Sequence, residues 1–164
     1  MTKIGLISDT HGWLDPACMT YFADCDEIWH AGDLGPIEIA DALREKKIFK
    51  AVYGNIDGYD VRSEYPEVLE WTCEGVSVLM IHIGGYPPKY NHNSKKLIQQ
   101  IKPKLFISGH SHILKIMYDA AQDCLHMNPG AAGKHGWHQM RTIIRFSIDG
   151  TDIKDCEVIE LGKR

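Results

Sequence analysis

Five short apolar runs in this chain each stop at a side chain able to hold a metal ion, and that coincidence limits what the chain can fold into. "KIGLIS" ends before Asp9-Thr10-His11, "EIWHAG" before Asp33, and "IFKAVY" before Gly54-Asn55. "VSVLMI" ends at His82, and "KLFISG" at His110-Ser111-His112. Continuous apolar runs that halt at polar residues read as buried strands. In an open α/β sheet, ligands gather beyond the carboxyl ends of such strands. Taken singly, each group has a plain reading: Asp9 as a cap beside a surface His11, Asp33 and Asn55 as turn residues, His82 as a core histidine. His110 and His112 are the strongest single pair, because period two in an extended segment aims both imidazoles to one side. Jointly the set offers two carboxylates, one amide and four imidazoles. Oxygen and imidazole donors without thiolate suit Mn, Fe or Zn, and this many side chains exceeds one tetrahedral centre. Two divalent metal ions sharing a bridging carboxylate fit the count.

The segments between the runs supply the frame. A helical stretch falls at about Ala17 to Ala23, and Pro36 followed by Ile37, Ile39, Ala40 and Leu43 predicts an amphipathic helix. Strand, polar loop and helix alternate here, which predicts a βαβαβ unit with a parallel sheet. "VLEWTC" and "VSVLMIHI" flank Glu74-Gly75 and read as a hairpin. "GGYPPKYNHN" reads as a polar loop, followed by a helix around Ser94 to Ile101 that Pro103 terminates. "ILKIMYDA", "DCLHMNPG", "RTIIRFSID" and "DIKDCEVIEL" read as antiparallel strands. No repeat, linker or low-complexity segment interrupts the pattern, so a single domain over residues 1–164 is expected.

Composition narrows the partners. At 164 residues and 44% apolar content the chain can bury a sizeable core. Its charge of −4, with no basic block longer than Lys46-Lys47 or Lys95-Lys96, argues against a nucleic-acid stripe. Five cysteines without a C-x-x-C pair read as reduced thiols of a cytoplasmic protein. The four-residue apolar stretch near Met1 is short of a signal-peptide core, and no run reaches a membrane span, so a soluble, unexported protein is expected.

In their order along the chain, these motifs closely resemble the signature of the calcineurin-like metallophosphoesterases: D-x-H, G-D, G-N, a lone His, then G-H-x-H. Here they stand as Asp9-Thr10-His11, Gly32-Asp33, Gly54-Asn55, His82 and Gly109-His110-Ser111-His112, and "NPGA" at Asn128 to Ala131 is similar to the N-P-G turn of small bacterial and archaeal members. The resemblance implies a four-layer α/β/β/α sandwich of two packed mixed sheets. It places Asp9, His11, Asp33 and His112 at one metal, and Asp33, Asn55, His82 and His110 at the other, with Asp33 as the bridge. It implies a phosphodiesterase or phosphatase acting on a small-molecule phosphoester, with Asp33, Asn55 and His82 carrying catalysis. Two divalent ions against two carboxylates leave a positive site that draws in phosphate despite the chain's net charge. A bridging hydroxide is the expected nucleophile, and manganese the ion of choice for assay.

Two departures stand out. Many members follow Gly-Asn with a His that contacts the phosphate, where this chain has Ile56; and the lone His is usually followed by Gly, where this chain reads His82-Ile83-Gly84-Gly85. Ile56 cannot protonate a leaving oxygen, so activated aryl esters are expected to turn over better than alkyl ones. His92 reads as a solvent-exposed loop residue that could approach the phosphate. His30 reads either as a core histidine or as support for a ligand, and Asp57 as a turn cap rather than a buttress. His126, His135 and His138 show no usable spacing. "GGYPPKY" reads equally as a stiff aromatic wall or a homo-oligomer contact. The rival to catalysis is a protein-binding scaffold of the same architecture, similar to the retromer subunit; the intact ligand set favours the enzyme.

Overall fold

Period-two burial turns the apolar runs into sheets covered on both faces. The computed structural model describes residues 1–164. In chain order its elements are β1 (Thr2–Ile7), α1 (Pro16–Tyr21), β2 (Glu27–His30), α2 (Glu38–Arg44), β3 (Ile48–Ala51), α3 (Tyr59–Glu64), β4 (Val68–Cys73) and β5 (Val76–Ile81). They continue with β6 (Gly85–Tyr86), β7 (Lys89–Tyr90), α4 (His92–Ile101), β8 (Leu105–Ile107), β9 (Leu114–Asp119), β10 (Cys124–Pro129), β11 (Met140–Asp149) and β12 (Asp152–Lys163). One sheet runs β12-β11-β1-β2-β3 and the other β4-β5-β8-β10-β9. β1, β2 and β3 are parallel, as are β5, β8 and β10, while the outer strands pair antiparallel.

Alternate residues of each strand feed different cores. Ile4, Leu6 and Trp29 face Val78, Met80, Leu105 and Met127 between the two sheets. Their neighbours Ile7 and Ile28 face outward onto Phe22, Leu43 and Val61 of the helical layer of α1, α2 and α3. On the far side, Leu79, Ile81 and Phe106 pack against Ile98 of α4. Three apolar interfaces make four layers, the α/β/β/α sandwich that the family resemblance implies. Trp29 anchors the central one. Fully buried, it meets Trp71 edge-on with ring centroids 4.8 Å apart and Phe146 at 5.6 Å, while Nε1 donates to Glu27 Oε2 at 2.7 Å.

Local chemistry sets the helix starts. Asp15 caps α1 by accepting from the Ala17 amide at 2.9 Å, and Pro16 fills the first helical position. Three details differ from the sequence reading. β10 is not purely antiparallel, because it lies between β9 and β8 and pairs parallel to β8. α3 went unanticipated, since six residues are too few to display helical period. "GGYPPKY" is also not simply a loop: it folds into the β6–β7 hairpin, with Tyr90 donating to Asp119 Oδ2 at 2.6 Å and Lys115 lying over the Tyr86 ring.

Truncating the central aromatic leaves a cavity between the sheets. Trp29→Ala is expected to lower the unfolding free energy by about 3–5 kcal/mol in urea titration; a loss under about 1 kcal/mol would contradict this account of the core.

Candidate metal centre

Backbone pairing between β1 and β2 continues past the strand ends and carries the first loops to one place. The amides of Asp9, His11 and Gly12 donate to the carbonyls of Gly32, Asp33 and Leu34 at 2.9–3.0 Å. The Gly109 amide donates to His82 O at 3.0 Å, joining the loops of the second sheet. Asn128 of the N-P-G turn, itself buried, donates from Nδ2 to Gly109 O and Ser111 Oγ, both at 3.1 Å. Ala132 and Gly133 then donate to Ser8 O and Asp9 O at 2.9 and 3.1 Å, tying the sheets together at this end.

The loops bring all seven predicted side chains together. Asp9, His11 and His112 form one group of donor atoms within 4.8 Å of one another, and Asp33, His82 and His110 form a second. Asn55 joins the second, its Oδ1 lying 3.1 Å from His82 Nε2 and 3.0 Å from His110 Nδ1. Asp33 Oδ2 lies 3.3 Å from His11 Nε2 and 3.2 Å from His82 Nε2, so one oxygen faces both groups. His112 Nε2 is 3.1 Å and His11 Nε2 3.6 Å from Asp9 Oδ1. Donors bonded to one ion at about 2.0–2.2 Å sit roughly 3.0–3.5 Å apart, close to the 3.0–3.6 Å of these pairs.

Each carboxylate has one oxygen committed to the protein and one free. Asp9 Oδ2 accepts from Ser8 Oγ at 2.6 Å and the His110 amide at 3.2 Å, whereas buried Oδ1 has no hydrogen-bond partner. His11 Nε2 is likewise buried without a partner. Asp33 Oδ1 accepts from the Ile56 amide at 3.0 Å, leaving Oδ2 to the shared space. His82 donates from Nδ1 to Ala31 O at 2.7 Å, which fixes the tautomer and frees Nε2 for a ligand. Orphaned buried atoms of this kind are costly unless something binds them, so the residues present fit a pair of divalent cations.

The backbone is strained at the same points. Asp9, His11, Asp33, His110 and His112 all have positive φ, between 46° and 68°. Such conformations cost on the order of 1 kcal/mol or more each in residues other than glycine. Gly54 is required by contact: a Cβ there would stand 2.0 Å from Asp33 Oδ1. At Gly32, with φ +101°, it would stand 2.6 Å from His82 Nδ1.

Electrostatics follow the geometry. Burial alone would raise the Asp9 carboxyl, but His11 and His112 beside it hold it well below the usual carboxylate range. Burial likewise opposes charge on Asp33, and His82 with the Ile56 amide outweighs it, lowering the pKa. His82 is raised, since Asp33 and Asp9 outweigh its burial. His110 is lowered by burial and by neighbouring His82.

Several supporting residues were missed or misread in the sequence. Asp57 is not merely a turn cap: its buried carboxylate accepts from the amides of Asp33 at 3.0 Å, Gly54 at 2.7 Å and Gly35 at 2.9 Å. It thereby locks the Asp33 loop to the Asn55 loop. Arg62, from α3, donates to the carbonyls of Asp57, Gly54 and Asn55. His30 is fully buried and bridges two loops, accepting from the Gly32 amide at Nδ1 and donating to Thr10 Oγ1 at 3.1 Å; burial pushes its pKa down to about 3, so it is neutral. His135 and His138 arrive from a loop with no motif. Their rings lie 4.7 Å from His11 and 5.2 Å from His112, and Trp137 between them is 98% exposed at the rim. His126 is a core histidine, hydrogen-bonded to Phe106 O, and His92 is the exposed first residue of α4.

Comparison with known proteins places this geometry among relatives. The model of the calcineurin-like phosphoesterase superfamily domain matches residues 2–151. A protein of Methanocaldococcus jannaschii named "Probable metallophosphoesterase" is 32% identical over 134 residues, covering 78% of this chain and 67% of that protein. Among solved structures, one described as a novel archaeal phosphodiesterase superposes with a TM-score of 0.75 at 21% identity, over 97% of this chain and 99% of that one. Vps29 from Entamoeba histolytica, solved in complex with zinc, superposes with a TM-score of 0.74 at 16% identity, over 96% and 98% of the two chains. At such identities the two structures speak for the fold alone.

The protonation states set the direction of pH dependence. With both carboxylates ionised throughout, a divalent ion binding between pH 5.5 and 7.5 competes with the raised proton affinity of His82. Zn²⁺ titration by calorimetry is expected to give weaker binding at pH 5.5 than at 7.5, by about tenfold per pH unit for each proton displaced. Equal affinity at the two pH values would contradict the arrangement.

Proposed function

We propose, for a chain that belongs to the calcineurin-like phosphoesterase superfamily, that it hydrolyses small-molecule phosphoesters at a dinuclear metal centre. One observation carries the dinuclear reading: Asp33 Oδ2 stands within 3.3 Å of imidazole donors from both groups. Two divalent ions would supply Lewis acidity and a water of lowered pKa at such a centre. Asp9, His11, Asp33 and His112 would hold one ion, and Asp33, Asn55, His82 and His110 the other. The ion identity, with Mn, Fe and Zn all compatible with these donors, is left to assay.

The chain's own residues divide the remaining work. Asp9 and His11, buried or half-buried, form the floor; Asn55 and His110 are exposed and define the side from which an ester approaches. Ile56 contributes through its backbone, where the amide orients Asp33, and its half-exposed side chain offers no proton to a leaving oxygen. His82 is committed through Nδ1 to Ala31 O and serves as a fixed ligand rather than a proton shuttle. The scaffold reading draws support from the Vps29 likeness in fold, but a scaffold does not call for orphaned carboxylate and imidazole atoms facing one space.

The test is a series of phosphodiesters and monoesters of rising leaving-group pKa, assayed with Mn²⁺. Turnover is expected for aryl esters, with rates falling steeply toward alkyl esters, because the roughly 10²–10⁴-fold help of a positioned acid is missing at Ile56. Asp33→Ala and Asn55→Ala are expected to abolish it. Rates independent of the leaving group would contradict the missing acid, and full activity of Asp33→Ala would contradict the centre itself.

A further inference from the structure

β9 is the outermost strand of the second sheet and pairs with β10 alone. The backbone ladder shows which of its groups are spent. In β10 the Leu125 amide donates to Lys104 O, and Met127 O accepts from the Ser108 amide, so these two residues serve β8. Cys124, His126 and Asn128 therefore turn their backbone toward β9, where they lie opposite Asp119, Met117 and Lys115. The alternate residues Leu114, Ile116 and Tyr118 present their amides and carbonyls to the open edge, and no backbone hydrogen bond from another segment reaches them.

The side chains on this edge are apolar. Five of the chain's fifteen exposed large apolar residues fall in one stretch of six: Ile113, Leu114, Ile116, Met117 and Tyr118 are 36–59% exposed. A regular apolar edge is a template for another strand, and proteins ordinarily blunt such edges with charges or bulges. β12, the edge of the first sheet, is blunted in this way: Lys154, Asp155, Glu157 and Glu160 line it, and its ladder with β11 shifts register twice. β9 keeps an unbroken register and carries two charges, Lys115 and Asp119. Lys115 has no carboxylate partner in its own chain and lies over the Tyr86 ring, while Asp119 accepts from Tyr90 on the same side of the strand.

These charges have opposite signs and stand at equal distances from Met117, so the strand is complementary to itself. We propose that β9 pairs with β9 of a second copy of this chain, antiparallel about a two-fold axis at Met117, and joins two five-stranded sheets into one continuous sheet. In this register Ile116 stands opposite Tyr118 of the second copy. Both have outward backbone groups, so they exchange hydrogen bonds. Lys115 stands opposite Asp119 of the second copy in a non-hydrogen-bonded pair, where side chains approach most closely. Each contact occurs twice. Centring the axis on Ile116 also matches the free backbone groups, but it sets Lys115 against Met117 and Asp119 against Ile113; the charges select Met117.

The test uses the full-length protein in analytical ultracentrifugation across a dilution series. The wild type is expected to sediment as a dimer in equilibrium with monomer. Lys115→Glu sets two carboxylates opposite each other at both ends of the pairing, and is expected to raise the dimer Kd by about tenfold or more. Cysteine cross-linking reads the register independently, and decides the matter should Lys115→Glu fold poorly. In a Cys156→Ser background, which removes the one exposed thiol, Met117→Cys is expected to give an intermolecular disulfide on mild oxidation. The two copies of that position face each other with Cα atoms about 4.5 Å apart, within disulfide reach. Ile116→Cys, opposite Tyr118, is expected to give none. A wild type that stays monomeric, a dimer indifferent to Lys115→Glu, or cross-linking at Ile116→Cys rather than at Met117→Cys would each overturn the proposal.

Discussion

Two carboxylates, Asp9 and Asp33, are buried close to one another beyond the ends of β1 and β2, and the surrounding structure keeps both ionised. Removing charge from water is expensive, and like charges side by side make it more so. The protein offsets part of the cost with the Ser8 hydroxyl and the amides of His110 and Ile56, one oxygen of each carboxylate being served in this way. The other oxygen is left toward a ring of imidazoles. A pair of cations in that space would complement what the chain has built, and would give a net-negative protein a local positive site for the proposed phosphoester.

Holding the candidate ligands takes more residues than those side chains themselves. Five of them sit on left-handed backbone, so their turns must be over-determined from outside. Asp57 does this for Asp33 and Asn55 with three amide contacts, His30 with Thr10 for the first two loops, and Asn128 for the His110 loop. Each links segments distant in sequence. The order of the strands, with β1 and β2 adjacent in one sheet and β5 and β8 in the other, is what lets such short side chains span them. Stability and site geometry therefore share the same contacts at this end of the sandwich.

What was legible in the sequence was the part with period and order. Apolar runs such as "KIGLIS" announced their strands because both faces are buried, and the five ordered motifs announced where their ends would meet. The amphipathic stretch after Pro36 became α2 for the same reason. The illegible part depends on contacts without local pattern. Asp57 looks like a turn residue until the fold brings the Asp33 and Gly35 amides to it across more than twenty residues. His135 and His138 lie beside His11 and His112 on a loop whose Gly133 amide donates to Asp9 O, a contact with no local sequence pattern. The β6–β7 hairpin has strands of two residues, too short for alternation to register. Asn55, also readable as a bend, differs from Asp57 in having its oxygen turned toward two imidazoles rather than toward backbone amides.

The dinuclear centre is the claim on which the mechanism and the role of Asp33 both depend. Anomalous diffraction from crystals grown with Mn²⁺, collected above and below the manganese edge, tests it most directly. The account predicts two anomalous peaks about 3.5–4 Å apart with Asp33 Oδ2 between them. A single peak, or two peaks that do not share Asp33, would contradict it.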